Sequence, residues 1–195
     1  RDLHNSEHFS LHDALPICDR HRDAGVVPIL DIYYDTSRLR LRAAGYACRL
    51  RREGKKTLLC IKSLKRPQRG VSVREEFEQR QSPTARRPRL VGRLGAKIAA
   101  LAGAESLREI FRIRNRRRVY YTRANGLTLI VCADRFCVTA NGRRRRFAEV
   151  ELELVAGTAR DLRRFGHLLA QRLPLRSGTR SKYREGLKLA RLQRP

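Results

Sequence analysis

Five segments of the chain carry charge at alternate positions: Arg49 and Arg51; Lys62, on the face of Leu58 and Cys60; Arg74, Glu76 and Glu78; Arg114, Arg116 and Arg118; and Glu149, Glu151 and Glu153. Successive side chains of an extended backbone point to opposite sides, so a period of two puts each set on one face of a β-strand. The signs are segregated, with cations crowding several strands and carboxylates the last. Open sheets usually mix signs to form cross-strand pairs. Two readings follow. One is an ordinary half-solvated sheet with its charges outward. The other is a closed barrel with the charged faces inside, where cations hold a polyphosphate and carboxylates hold a divalent metal. Oxygen donors beside phosphate point to Mg2+ or Mn2+.

The order of segments supports a sheet with helices outside it. "VVPILDIYYDT" (26–36) reads as a strand, and "SRLRLRAAG" as a helical turn closed by Gly45. "YACRLRRE" (46–53) and "TLLCIKS" (57–63) form a hairpin about "GKK". "VSVREEFE" (71–78) reads as a further strand, and "LGAKIAALAGAESLREIF" (94–111) as a helix interrupted near Gly103. "RIRNRRRVYYT" (112–122) then puts Arg114, Arg116 and Arg118 opposite Ile113, Asn115 and Arg117. Residues 127–142 supply one or two strands between Asn-Gly turns, and the glutamate row follows. "TARDLRRFGHLLAQRL" reads as a helix capped by Thr158, with a stripe of Leu162, Phe165, Leu168, Leu169 and Leu173. "SKYREGLKLARL" is a short helical tail with Lys182 near its start.

A formal net charge of +26 calls for a polyanionic partner. Arginine outnumbers lysine 38 to 7, which suits forked recognition of phosphate, although a high-GC genome enriches arginine as well. The five cysteines form no C-x-x-C pair and sit mostly in apolar runs, which suits buried thiols in a reducing cytoplasm. No apolar run reaches the length of a membrane span, and no signal peptide is visible. The basic runs lack the spaced aromatic platforms of single-strand binders, so no specific nucleic-acid partner is expected. The chain contains no methionine. Its opening, "SEHFSLHDALPI" included, reads as translated adapter sequence, so residues 1–25 are set aside as a leader and the domain is expected over 26–192. His4, His8 and His12 lack the caps and apolar stripe of a metal-binding helix.

Taken in order, "YYDT" (33–36), "CRLRRE" (48–53), "TLLCIK" (57–62), "VREEFE" (73–78), "EVELEL" (149–154) and "SKY" (181–183) resemble the CYTH domain, or triphosphate tunnel metalloenzymes. The resemblance implies an α+β fold: an antiparallel eight-stranded β tunnel with helices packed outside. It also implies cleavage of a triphosphate phosphoanhydride with Mg2+ or Mn2+. Carried over, Arg49, Arg51, Lys62, Arg74, Arg116 or Arg118, and Lys182 would grip phosphates. Glu76, Glu78, Glu149 and Glu151 would face the metal, with Glu153 at the strand end, and Lys62 and Glu76 would serve the chemistry directly. Such proteins carry a Glu-x-Glu-x-Lys signature on their first strand. Residues 1–26 contain no match to it, so that strand is expected to be missing, its coding sequence lying upstream.

The implied activity is hydrolysis of inorganic tripolyphosphate, with thiamine triphosphate or a nucleoside triphosphate as further substrates. Loss of the first strand would leave this chain inactive. The alternatives are a non-catalytic polyphosphate-binding module, fused in the full protein to a CHAD-type domain, and a class IV-type adenylate cyclase.

Overall fold

A computed structural model describes residues 18–65, 75–173 and 181–192. The strands are β1 (Arg20–Asp35), β2 (Tyr46–Glu53), β3 (Lys56–Ser63), β4 (Glu76–Gln81), β5 (Arg108–Ala124), β6 (Leu127–Ala140) and β7 (Arg143–Ala156). The helices are α1 (Arg40–Ala43), α2 (Gly92–Ala102), α3 (Ala159–Arg172) and α4 (Lys182–Leu189). The strands join one sheet in the order β4-β3-β2-β1-β5-β6-β7, and β1 to β4 pair antiparallel. The fold is α+β. Among the described residues there are seven strands, where the resemblance implies eight.

Two Asn-Gly turns fold β5, β6 and β7 back on one another. Asn125 and Gly126 have φ of 47° and 78°, and Asn141 and Gly142 have 49° and 74°. That double left-handed geometry matches the twist of the flanking strands. Residues 127–140 form one continuous strand. The helix expected over 94–111 ends at Ala102, because Gly103 turns away at φ 64°. Residues 108–111 instead open β5, where Ile110 and Phe111 are buried. β1 begins at Arg20, ahead of the strand start read at residue 26, and runs through the 25/26 position. The strand read over 71–78 is observed from Glu76; residues 71–74 lie outside the described residues.

The chain divides into two compact units. One holds residues 18–25, 118–133 and 149–173 of those described, the other 26–65, 75–117, 134–148 and 181–192. β1, β5, β6 and β7 contribute to both. In β5 the buried positions are odd at Phe111, Ile113 and Asn115 but even at Tyr120, Thr122 and Ala124. β6 also changes from odd to even, from Leu127, Leu129 and Val131 to Cys132, Asp134 and Phe136. A regular strand cannot change the parity of its buried side chains unless its two halves serve different cores.

In the first unit, α3 is capped by Thr158, whose hydroxyl accepts from Asp161 N at 3.2 Å. It buries Leu162, Phe165 and Leu169. Its Gly166 lies against Leu152, on the strand face opposite the glutamates. In the second unit, α2 lays Leu94, Ile98 and Ala102 on Ile32, Tyr34, Cys48, Leu50, Leu59 and Ile61. In β2 and β3 the apolar face thus meets a helix, and the charged face is left for other work. No described helix is long and apolar enough to cross a membrane.

Candidate anion-binding site

Register builds the charged face of the second unit. Across β1 and β2, Asp31 stands opposite Arg51 and Tyr33 opposite Arg49. Across β2 and β3, Arg49 faces Cys60 and Ala47 faces Lys62. Across β3 and β4, Cys60 faces Glu78 and Lys62 faces Glu76. Directly opposed residues share a face, so four strands bring Asp31, Arg49, Arg51, Lys62, Glu76 and Glu78 together. The Asp35 of "YYDT" has a different task. It accepts backbone N–H bonds from Thr36, Leu41 and Arg42, fixing the turn into α1.

Asp31 is only 2% exposed. Arg51 grips it with a two-pronged fork, Nε to Oδ1 at 2.8 Å and Nη2 to Oδ2 at 2.9 Å. Arg49 Nη1 lies 3.6 Å from the same carboxylate, while its Nη2 donates to Glu76 Oε1 at 2.8 Å. Lys62 Nζ reaches the other oxygen of Glu76, also at 2.8 Å. Burial alone would raise the Asp31 carboxyl, but Arg49 and Arg51 outweigh it and hold the group below its ordinary value. Glu76 is likewise lowered: burial opposes ionisation, and Lys62 and Arg49 prevail. The Cys60 thiol, pushed by burial to about 12, stays protonated and hydrogen-bonds Glu78 at 3.3 Å.

A second carboxylate organises the neighbouring cations. Asp134 accepts Arg117 Nε and Nη2 at 2.8 and 2.7 Å, and Lys182 Nζ at 2.7 Å. Burial would raise its carboxyl, yet Arg117 and Lys182 hold it at about 2. Lys182 arrives on α4, whose Ser181 cap accepts from Arg184 N. The helix is seated by Tyr183 in an aromatic cluster with Tyr33 and Phe111, ring centroids 4.5 to 5.7 Å apart. The charge of Lys182 also bears on Asp31, which links the two groups of cations.

Arg49, Arg51, Lys62 and Lys182 therefore fall in one charged region of the second unit. Arg74 lies outside the described residues. Arg116 is exposed, and Arg118 is exposed and paired with Asp23 at 2.5 Å. Of that basic run it is Arg117, on the parity of buried Ile113 and Asn115, that joins the carboxylate network. Glu149, Glu151 and Glu153 belong to the first unit, where they share one face of β7. Asp31, Arg117 and Asp134 were missed in the sequence. Asp31 sits two residues before Tyr33 on the site parity, and Ile113 marks the inward parity of β5.

A family model for the CYTH domain matches residues 18–187. The protein belongs to the CYTH domain family. Its fold is similar to that of a Hippeastrum protein studied as an adenylyl cyclase and described as having dominant triphosphatase activity. The TM-score is 0.64 and the identity 19%, over 91% of this chain and 88% of that one. A Bacillus halodurans protein named as an adenylate cyclase gives 0.57 and 19%, over 82% of each chain. A protein from Pyrococcus horikoshii OT3 gives 0.54 and 17%, over 91% and 92%. At these identities the likeness is one of fold. No curated protein matches the sequence.

Proposed function

We propose that the protein hydrolyses a phosphoanhydride bond of a triphosphate with Mg2+ or Mn2+, and that inorganic tripolyphosphate is its substrate. The observation that carries this reading is the convergence of Arg49, Arg51, Lys62, Arg117 and Lys182, from four elements, on three carboxylates that hold them in place. Membership of the CYTH family supports it, as does the triphosphatase activity described for the Hippeastrum protein.

Phosphoryl transfer asks little covalent help of a protein; it needs charge neutralisation and a placed nucleophile. The cations take up the charge of the phosphate oxygens, and Lys62, held by Glu76, is the donor assigned to stabilise charge as the bond breaks. Glu78 on β4 and, separately, Glu149 and Glu151 on one face of β7 carry carboxylate oxygens, the donor type that suits Mg2+ or Mn2+. A divalent cation held by such carboxylates would supply charge neutralisation and a more acidic water to the reaction. Glu76, engaged by Lys62 and Arg49, serves by orienting them. Burial of Cys48, Cys60 and Cys132 without a disulfide supports a reducing, cytoplasmic location.

The test is phosphate release from tripolyphosphate, thiamine triphosphate and ATP with either metal, with cyclic AMP followed in parallel. Metal-dependent release, fastest from tripolyphosphate, is expected. Tight binding of long polyphosphate without cleavage would replace this reading with that of a binding module, and cyclic AMP formation with that of a cyclase.

A further inference from the structure

Asp31 is a buried member of the carboxylates that hold this basic face. Its carboxylate takes the Nε and Nη2 edge of Arg51 and lies 3.6 Å from Arg49 Nη1. Both arginines are thereby committed in direction. Arg51 can offer an incoming anion only the part of its guanidinium not turned to Asp31, and Arg49 is strung between Asp31 and Glu76. Arg49 Nε is buried and makes no hydrogen bond. The two arginines sit two residues apart on one strand face, where like charges repel and long side chains would splay. A single carboxylate opposite Arg51 offsets that repulsion, at the expense of one unit of the positive charge that attracts phosphate.

We infer that Asp31 is a positioning residue that sets anion selectivity: by occupying the edges of Arg49 and Arg51 that converge on it, it denies that shared cleft to a single phosphate and leaves an extended oligophosphate to engage the donors turned away from it. This rests on the reading of the face as an oligophosphate site, but not on hydrolysis. Three roles separate by their effect on two anions. A residue that merely supported the fold would, on removal, weaken both alike. One that merely subtracted charge would, on removal, tighten both alike. A positioning residue splits them.

The experiment measures binding of tripolyphosphate and of orthophosphate by titration calorimetry without metal, at fixed salt, for the full chain and for Asp31→Asn. The wild-type protein should prefer tripolyphosphate. In the variant that preference should fall about tenfold, with orthophosphate bound as tightly as before or more so. Equal shifts for both anions, or none, overturn the inference. If Asp31→Asn does not fold, Asp31→Glu and Arg51→Lys decide: the first should keep the preference within about threefold, and the second, lacking the fork, should lose it. Unchanged selectivity in Arg51→Lys overturns it equally. A wild-type chain that binds neither anion overturns both the site and the inference. One that binds tripolyphosphate but does not cleave it sinks only the hydrolase reading.

Discussion

Gly186 lies directly beneath Phe111: a β-carbon at position 186 would overlap three ring carbons of that phenylalanine. The contact seats α4 on β5 and so sets where Lys182 meets Asp134. Overpacking a tight contact costs roughly 1–3 kcal/mol. Gly186→Ala should lower Tm by several degrees and weaken tripolyphosphate binding more than the loss of stability explains. A variant with wild-type Tm and affinity would show that α4 does not position Lys182.

The parity of β5 separates two neighbouring arginines. Arg117→Gln leaves buried Asp134 without its forked partner, and breaking a buried pair costs roughly 3–5 kcal/mol. Arg116→Gln changes an exposed side chain and should stay within about 0.5 kcal/mol of the wild type. Urea unfolding of both variants, with tripolyphosphate binding measured alongside, should show loss at 117 only. Equal effects would place Arg116 in the site.

Acid should undo the Asp31 anchor. Its carboxyl is held below the ordinary value, chiefly by Arg49 and Arg51 working against burial. Its stabilising contribution is therefore present in full above about pH 4, the value in an unfolded chain. It is lost as pH falls through the lower folded-state value. Below about pH 4 the urea midpoint should fall more steeply for the wild type than for Asp31→Asn. Parallel curves would mean that Asp31 ionises as freely in the fold as outside it.

Thr158→Ala removes the cap of α3 and should cost about 1 kcal/mol. Leu169→Ala opens a cavity in the same helix and should cost roughly 2–5 kcal/mol. If α3 carries the first unit's core, hydrogen exchange should rise at Leu129 and Val131 in Leu169→Ala; unchanged protection there would separate the helix from that core.

What the sequence made legible was alternation. The Arg49/Arg51 and Lys62 faces, the hairpin about Gly54, both Asn-Gly turns, the Thr158 cap and the position of Lys182 all follow from local chemistry that acts within a few residues. Face choice in β5 was not local. Arg114, Arg116 and Arg118 formed the tidier charged row, but inward parity is decided by what Phe111, Ile113 and Asn115 pack against, including an aromatic cluster completed by Tyr183 some seventy residues later. The change of parity further along β5 was hidden for the same reason. Asp31 and Asp134 were overlooked because a single acid in an apolar strand carries no period; only pairing across strands gives it meaning. The helix over 94–111 was drawn too long because propensity extended it past Gly103 into residues that the sheet claims.

Metal-dependent turnover of tripolyphosphate tests the central claim most directly, measured as phosphate release by the wild-type chain and by Lys62→Ala and Glu151→Gln. The wild type should turn over only with Mg2+ or Mn2+. Each variant should lose at least about a hundredfold in kcat while keeping its fold. A folded chain that cleaves no triphosphate even when a Glu-x-Glu-x-Lys strand is supplied ahead of it, or undiminished turnover in both variants, would contradict the account.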